Sequence, residues 1–178
     1  MRSTRFDECI NSKRLFRACE AEGRVIPFRF PEKWSGRGIK DPDVLKELLR
    51  EGRLLVTTDG KIVRQHCEHI PNSHPGILIV AQDDGVARTI TDIIVMQILS
   101  KFKAEFAEWD TAPWENSIIR LTHTYVEVQH VEDGQPDNDG LIMRDSAGWQ
   151  ESLKTILGHN ASRKAIENSG SDESRVSN

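Results

Sequence analysis

The strongest constraint on the fold of this 178-residue chain is a pair of short apolar runs that do not alternate. Leu54, Leu55 and Val56 lead into Thr57 and Thr58, and Gly76 is followed by Ile77, Leu78, Ile79, Val80 and Ala81. A strand with one wet face alternates polar and apolar side chains, whereas consecutive apolar residues need cover on both faces. Two such strands belong inside a sheet held between helices. Both stop at turn sequences, Asp59-Gly60 and Asp83-Asp84-Gly85.

Helical patterns separate the strands. Leu15, Phe16, Ala18 and Cys19 mark one face of a helix over 10–22. Asp41 as N-cap with Pro42 at the first helical position opens a second, whose buried face is Val44, Leu45, Leu48 and Leu49. Residues 61–69 read as a third. Ile90, Ile94, Ile98, Phe102 and Phe106 recur every four positions and predict a long helix over 88–106, with Thr89 and Asp92 spaced as a capping box. Further strands are expected at Val25 to Phe30, Ile118 to Leu121 and Tyr125 to Val131. Strands alternating with helices give an α/β class with a central, mostly parallel sheet and helices on both faces, because a parallel pair needs a crossover and the helix is the usual one.

The chain divides by charge and polarity. Residues 1–70 carry 15 Lys and Arg against 11 Asp and Glu, and the remainder 9 against 17. The basic part is where a polyanion such as RNA is expected. Residues 132–178 hold 12 hydrophobic residues in 47, so the expected domain is 1–131, followed by a polar C-terminal extension. Trp149, Leu153, Ile156 and Leu157 lie at helical spacing in that extension and fit one short helix, packed on its own domain or on a partner; the last dozen residues read as disordered. The longest apolar run, Ile77 to Ala81, is far below the ~20 residues of a membrane-spanning helix. No signal-peptide pattern opens the chain, and three cysteines without a CxxC pair read as reduced thiols, so a cytoplasmic protein with no membrane association is expected.

In an open α/β sheet, ligands gather beyond the carboxyl ends of the strands. The residues there are acidic. Asp7 and Glu8 follow a first candidate strand, Asp59 follows the strand at 54–58, Asp83 and Asp84 follow the strand at 76–80, and Asp41 and Asp43 open the helix that enters the same sheet. Converging carboxylates repel one another unless a cation neutralises them, and Mg²⁺ or Mn²⁺ takes such oxygen ligands. Each acid also has a plainer reading: Asp41 as a helix cap, Asp59 as a turn residue, Asp83 and Asp84 as a solvated loop. A zinc reading uses His66, His69 and His74 around Cys67 and Glu68.

The runs Phe6-Asp7-Glu8-Cys9-Ile10, Gly38-Ile39-Lys40-Asp41-Pro42-Asp43-Val44-Leu45, Leu54-Leu55-Val56-Thr57-Thr58-Asp59 and His74-Pro75-Gly76-Ile77 together resemble the PIN-like family related to bacterial PIN-domain toxins. The resemblance covers residues 1 to about 105. It implies a PIN-like three-layer fold and a Mg²⁺- or Mn²⁺-dependent ribonuclease site, with Asp7, Asp41 and Asp59 as metal ligands and catalytic acids. Glu8 and Asp43 would be supporting acids and Thr57 would orient a carboxylate or water. It also implies an RNA substrate, a small antitoxin protein as partner, and a homodimer. Two positions depart from the pattern: the first strand reads Arg2-Ser3-Thr4-Arg5-Phe6 rather than a run of large apolar residues, and Lys61 stands where a further acid is often found. The alternative is therefore a PIN-like module with weakened catalysis that acts by binding protein or nucleic acid.

Overall fold

The computed structural model describes residues 3–6, 26–28, 42, 43, 45, 52–86 and 90–169. The helix expected over 10–22, the acids Asp7, Glu8 and Asp41, and the tail beyond 169 lie outside the described residues, as does Thr89 of the expected capping box.

Among the described residues, seven strands form one sheet in the order β2-β1-β3-β4-β5-β6-β7. They are β1 (Ser3–Phe6), β2 (Ile26–Phe28), β3 (Leu54–Thr57), β4 (Ile77–Val80), β5 (Ile118–Leu121), β6 (Tyr125–Glu132) and β7 (Gln135–Met143). The first five are mutually parallel, with Phe6 opposite Val56 and Leu55 opposite Ile77. The last two run antiparallel. The protein is thus α/β with a mixed sheet, parallel from β2 to β5 and antiparallel from β5 to β7.

Three described helices accompany the sheet: α1 (Lys61–His66), which continues into a 3-10 turn at Cys67–His69, α2 (Asp92–Glu105) and α3 (Trp149–Ser169). Pro42, Asp43 and Leu45 are also helical, as the Asp-Pro start predicts. The two-residue period of the strands sorts the core into two layers. Leu54, Val56, Leu78, Val80, Ile119 and Leu121 face one side. There they meet Val95, Ile98 and Phe102 of α2 and Trp149, Leu153 and Leu157 of α3. Leu55, Ile77, Ile79 and Ile118 face the other, against Leu45 and against Ile62 and Val63 of α1. This two-sided cover is why β3 and β4 could not alternate.

The α2–α3 layer is aromatic. Phe102 lies 5.5 Å from Phe106, 5.8 Å from Trp109 and 5.8 Å from Trp149 between ring centroids, and Trp109 and Trp114 meet edge to face at 4.9 Å. Tilted and edge-on pairs of this kind add about 0.5–1.5 kcal/mol each beyond their burial. The Trp114 indole N–H donates to the Trp109 carbonyl at 3.0 Å, so its polar end is not orphaned in the core. Arg144 closes this layer. Its guanidinium donates to Glu105 and to the Thr122 carbonyl, and lies over the Phe102 and Trp149 rings at 5.5 and 5.9 Å.

Two expected boundaries move. The helix expected from 88 begins at Asp92, after an extended Thr91 that makes no side-chain cap, and Phe106 has left the helix with extended backbone. The domain end expected at 131 falls inside β6. Asp133 and Gly134, at φ 51° and 72°, make a two-residue hairpin turn, and β7 then pairs along β6 from Glu132 back to Tyr125. Helix α3 returns across this pair to bury Leu153 and Leu157 completely. Residues 135–163 therefore share the sheet and the core of the residues before them. Among the described residues no helix is long and apolar enough to cross a membrane.

Candidate functional site

The parallel strands β1, β3, β4 and β5 end on one edge of the sheet. The chain passes from β1 to β2 on one side and from β2 back across β1 to β3 on the other, so the order reverses between β1 and β3. A reversal of this kind opens a crevice beyond the strand ends. Of the sequence-predicted acids, Asp59 is described at this edge, two residues after the end of β3, and Asp83 and Asp84 follow the end of β4.

Its local geometry follows from Thr57-Thr58-Asp59-Gly60. Thr57 is fully buried, and its Oγ1 accepts the Asp59 backbone N–H at 2.9 Å. The Asp59 Oδ1 in turn accepts the Lys61 N–H at 2.8 Å, opening α1. This is the turn role read from Asp-Gly, and it engages one carboxylate oxygen. Thr57 thus fixes the Asp59 backbone, whereas the resemblance implies that it orients a carboxylate or water. Asp43 is exposed on helical backbone. Asp7, Glu8 and Asp41 lie outside the described residues, so the described part of the expected acidic set is Asp59, Asp43, Asp83 and Asp84.

Asp83 and Asp84, beyond β4, are bound rather than merely solvated. Asp83 Oδ1 accepts from the Thr124 backbone N–H at 3.1 Å and from its hydroxyl at 2.7 Å. Burial works to raise its pKa, but hydrogen bonds from Thr122 and Thr124 outweigh this and hold the carboxyl below its ordinary range. Asp84 accepts from Arg120 at 2.8 Å and from the Tyr125 hydroxyl at 3.0 Å, and these bonds lower its pKa. Partial burial and the Asp84 bond push the Tyr125 phenol up to about 12.

A cavity of about 370 Å³ opens beside this group. It lies on the α1 face of the sheet, where β5 and β6 run beyond the cover of that helix. Val63, Ile79 and Ile118 supply apolar wall, and Arg64, Arg120, Glu127 and Gln129 supply the polar groups. Gly60, next to Asp59, and Asp84 complete it. Arg120 bonds Asp84 and the Tyr125 hydroxyl and lies 4.0 Å from Glu127, so its charge is compensated within the wall. Arg64 is exposed and makes no ion pair with a described residue. Arg120, Glu127 and Gln129 did not stand out in the sequence; their one signal there is polar alternation in β5 and β6.

Among the described residues, two other clusters have ligand atoms close enough to share a metal ion, and neither includes Asp59. His66, Glu68 and His69 form one, on the surface at the end of α1. The expected third histidine is elsewhere: His74 is buried, its Nδ1 accepts the Gly76 N–H at 3.1 Å, and its backbone N–H donates to Asn116. Glu68 takes its place because the 3-10 turn brings residues 66, 68 and 69 together, while 74 begins the approach to β4. The second cluster is His130, Glu132 and Asp137. Here Arg163 already supplies the cation. Its Nη1 donates to His130 Nε2 at 2.6 Å and lies 3.6 Å from Glu132, while Nη2 lies 3.6 Å from Asp139. His130 Nδ1 lies 2.9 Å from Asp139 Oδ1.

No family model, curated protein or solved structure matches this chain.

Proposed function

We propose that the chain is a PIN-like ribonuclease dependent on Mg²⁺ or Mn²⁺, the toxin component of a toxin–antitoxin pair. The observation that carries the reading is the pairing of β1 with β3. Phe6, the residue before Asp7 in sequence, stands opposite Val56, three residues before Asp59, so β1 and β3 end side by side at one edge, beside the order reversal. The PIN-like three-layer arrangement belongs to this proposal, supported by helical cover on both sheet faces.

Asp7, Asp41 and Asp59 would hold the ion. Their donor set fits it: carboxylate oxygens suit a hard divalent cation, and the turn bond to Lys61 engages one of the two Asp59 oxygens. Bound there, the ion would supply water activation and charge stabilisation for phosphodiester hydrolysis. The protein's part is positional. Buried Thr57 fixes the backbone at Asp59, and the Lys61 N–H orients its carboxylate, so this acid is held before substrate arrives. Glu8 and Asp43 would add negative charge that raises ion affinity. A cognate antitoxin and a homodimer are the partners that accompany the reading.

The test is cleavage of single-stranded RNA by the purified protein. Activity that requires Mn²⁺ and vanishes in Asp7→Asn and in Asp59→Asn supports the proposal. Cleavage that survives both substitutions overturns it. Asp59→Asn is informative because an amide oxygen still accepts the Lys61 N–H, so folding is retained while a negative ligand is lost.

A second reading, a PIN-like module that binds RNA or protein with weakened catalysis, is favoured by Lys61. An ammonium at this position, following directly on the turn that Asp59 caps, would compete with a metal for the same carboxylates. RNA retention without cleavage at saturating Mn²⁺, with cleavage appearing in Lys61→Asp, selects this reading.

A further inference from the structure

We infer that the cavity between α1 and strands β4–β6 is a base-specific subsite for a guanine nucleotide. The inference rests on the ribonuclease reading for its physiological ligand, an RNA residue, but the binding event itself needs neither metal nor cleavage.

The size of the cavity, about 370 Å³, lies in the ~300–1,000 Å³ range of small-molecule sites. Its walls divide into three kinds of surface. Val63, Ile79 and Ile118 are buried core residues whose side chains also reach the cavity, and they offer an aliphatic surface to the flat face of a base. Glu127 and Gln129 are two apart on β6 and so face the same side of the sheet. The Gln129 Nε2 donates to Glu127 Oε1 at 3.2 Å, which fixes the two polar ends as one unit. Arg64 stands at the exposed wall with its charge uncompensated among the described residues.

Guanine suits this arrangement better than the other bases. A carboxylate accepts only, and guanine is the base whose pairing edge presents two adjacent donors, N1–H and the N2 amino group, beside the O6 acceptor. Glu127 takes the donors and the second N–H of Gln129 is available to O6. The Glu127 side chain is 22% exposed, covered enough to exclude much competing water yet open to a ligand. Arg120 does not compete for the phosphate, because Asp84 and Glu127 already compensate it. Arg64 is left as the phosphate partner. The cavity also reaches Gly60, the residue after Asp59, so it adjoins the edge that the ribonuclease reading assigns to chemistry.

The experiment is calorimetric titration of the full chain, in chelator, with the four ribonucleoside 5′-monophosphates and with inosine monophosphate. GMP is expected to bind about tenfold more tightly than AMP, CMP or UMP, in line with one good two-bond base contact. Inosine monophosphate, which lacks the N2 amino group, falls between. Glu127→Gln, which puts an amide where an acceptor is needed, removes the preference, and Arg64→Ala weakens all the nucleotides alike. Equal affinities, no binding at millimolar nucleotide, or a guanine preference that persists in Glu127→Gln overturns the inference. Should Glu127→Gln fail to fold, the GMP–inosine monophosphate difference in the unsubstituted protein still decides it. Failure of the two proposals is distinguishable: selective GMP binding with no RNA cleavage leaves the subsite and removes the nuclease, and cleavage without GMP selectivity does the reverse.

Discussion

The parallel and antiparallel halves of the sheet solve burial differently. In β3 and β4 every residue is buried, and Leu55, Ile77, Leu78 and Val80 are fully covered. Such strands have no side chain to spare for chemistry, so their functional groups can only stand at the ends, as Asp59, Asp83 and Asp84 do. Strands β5 and β6 bury Ile119, Leu121, Val126 and Val128 against α2 and α3. Their other face is left half-covered, and there Arg120, Glu127 and Gln129 line a cavity. A strand covered on one side carries chemistry along its length; a strand covered on both carries it only at its tip.

The largest effect that tests this comparison is expected at Gly76, where the chain enters β4. Its φ is +107°, and a Cβ would stand 2.6 Å from the Trp114 carbonyl oxygen and 2.9 Å from Leu54 Cδ1. Neither backbone freedom nor space allows a side chain. Gly76→Val should cost about 3 kcal/mol or more in urea unfolding. A change within about 0.5 kcal/mol, the size of an ordinary surface substitution, would show that the doubly covered strand tolerates movement at its entry.

Next comes the cover of the antiparallel half. Leu157→Ala on α3 should destabilise by about 2–5 kcal/mol, the range for truncating a fully buried leucine. Unfolding followed by tryptophan fluorescence and by far-ultraviolet circular dichroism should remain one coincident transition. Separate transitions would mean that α3 and β7 form a unit of their own.

His74 gives a smaller, pH-dependent effect on the parallel side. Burial lowers its pKa from 6.5 to about 4. Below pH 6.5 the unfolded chain therefore takes up a proton that the folded protein refuses. Stability from this residue is complete above pH 6.5, falls as pH drops through the window, and is lost by about pH 4. The total is about 3 kcal/mol. Urea midpoints measured from pH 7 to 4 should follow this slope, and His74→Asn, which retains an acceptor for the Gly76 N–H, should flatten it. An unchanged slope in that variant would place the acid sensitivity elsewhere.

These residues also show what can be read from a sequence. The doubly buried strands were legible because unbroken apolar runs, Leu54 to Val56 and Ile77 to Ala81, admit few other environments. Asp59 was legible because Asp-Gly after such a strand has a fixed local geometry. Strand β7 was not: Gln-Pro-Asp-Asn-Asp-Gly carries almost no apolar signal, because it lies on the sheet edge and its first residues are exposed. Its pairing is dictated by the Asp133-Gly134 turn and by an apolar strand beside it, not by its own composition. The cavity was hidden for a related reason. Arg64, Ile79, Arg120 and Glu127 come from four elements, and only the packing of α1 against a mixed sheet brings them together. His66 and His69 are neighbours, as their spacing predicts, whereas His74 stands apart, because proximity in sequence cannot show which way a loop turns.

The smallest effect concerns the junction between the two halves. Tyr125 is the single tyrosine of the chain, so its phenolate absorbance reports one site. Its hydroxyl donates to Asp84 at the end of β4 while Arg120 of β5 bonds both groups. Removing the Asp84 charge weakens a hydrogen-bond acceptor and takes away a repulsion, both of which disfavour the phenolate, and leaves the arginine, which favours it. Wild-type protein should therefore titrate near pH 12, and Asp84→Asn at a lower pH, with Arg120→Met moving the midpoint the opposite way. Identical titrations in all three proteins would mean that burial alone holds the phenol, and that the carboxyl end of the parallel half and the first antiparallel strand are neighbours without electrostatic coupling.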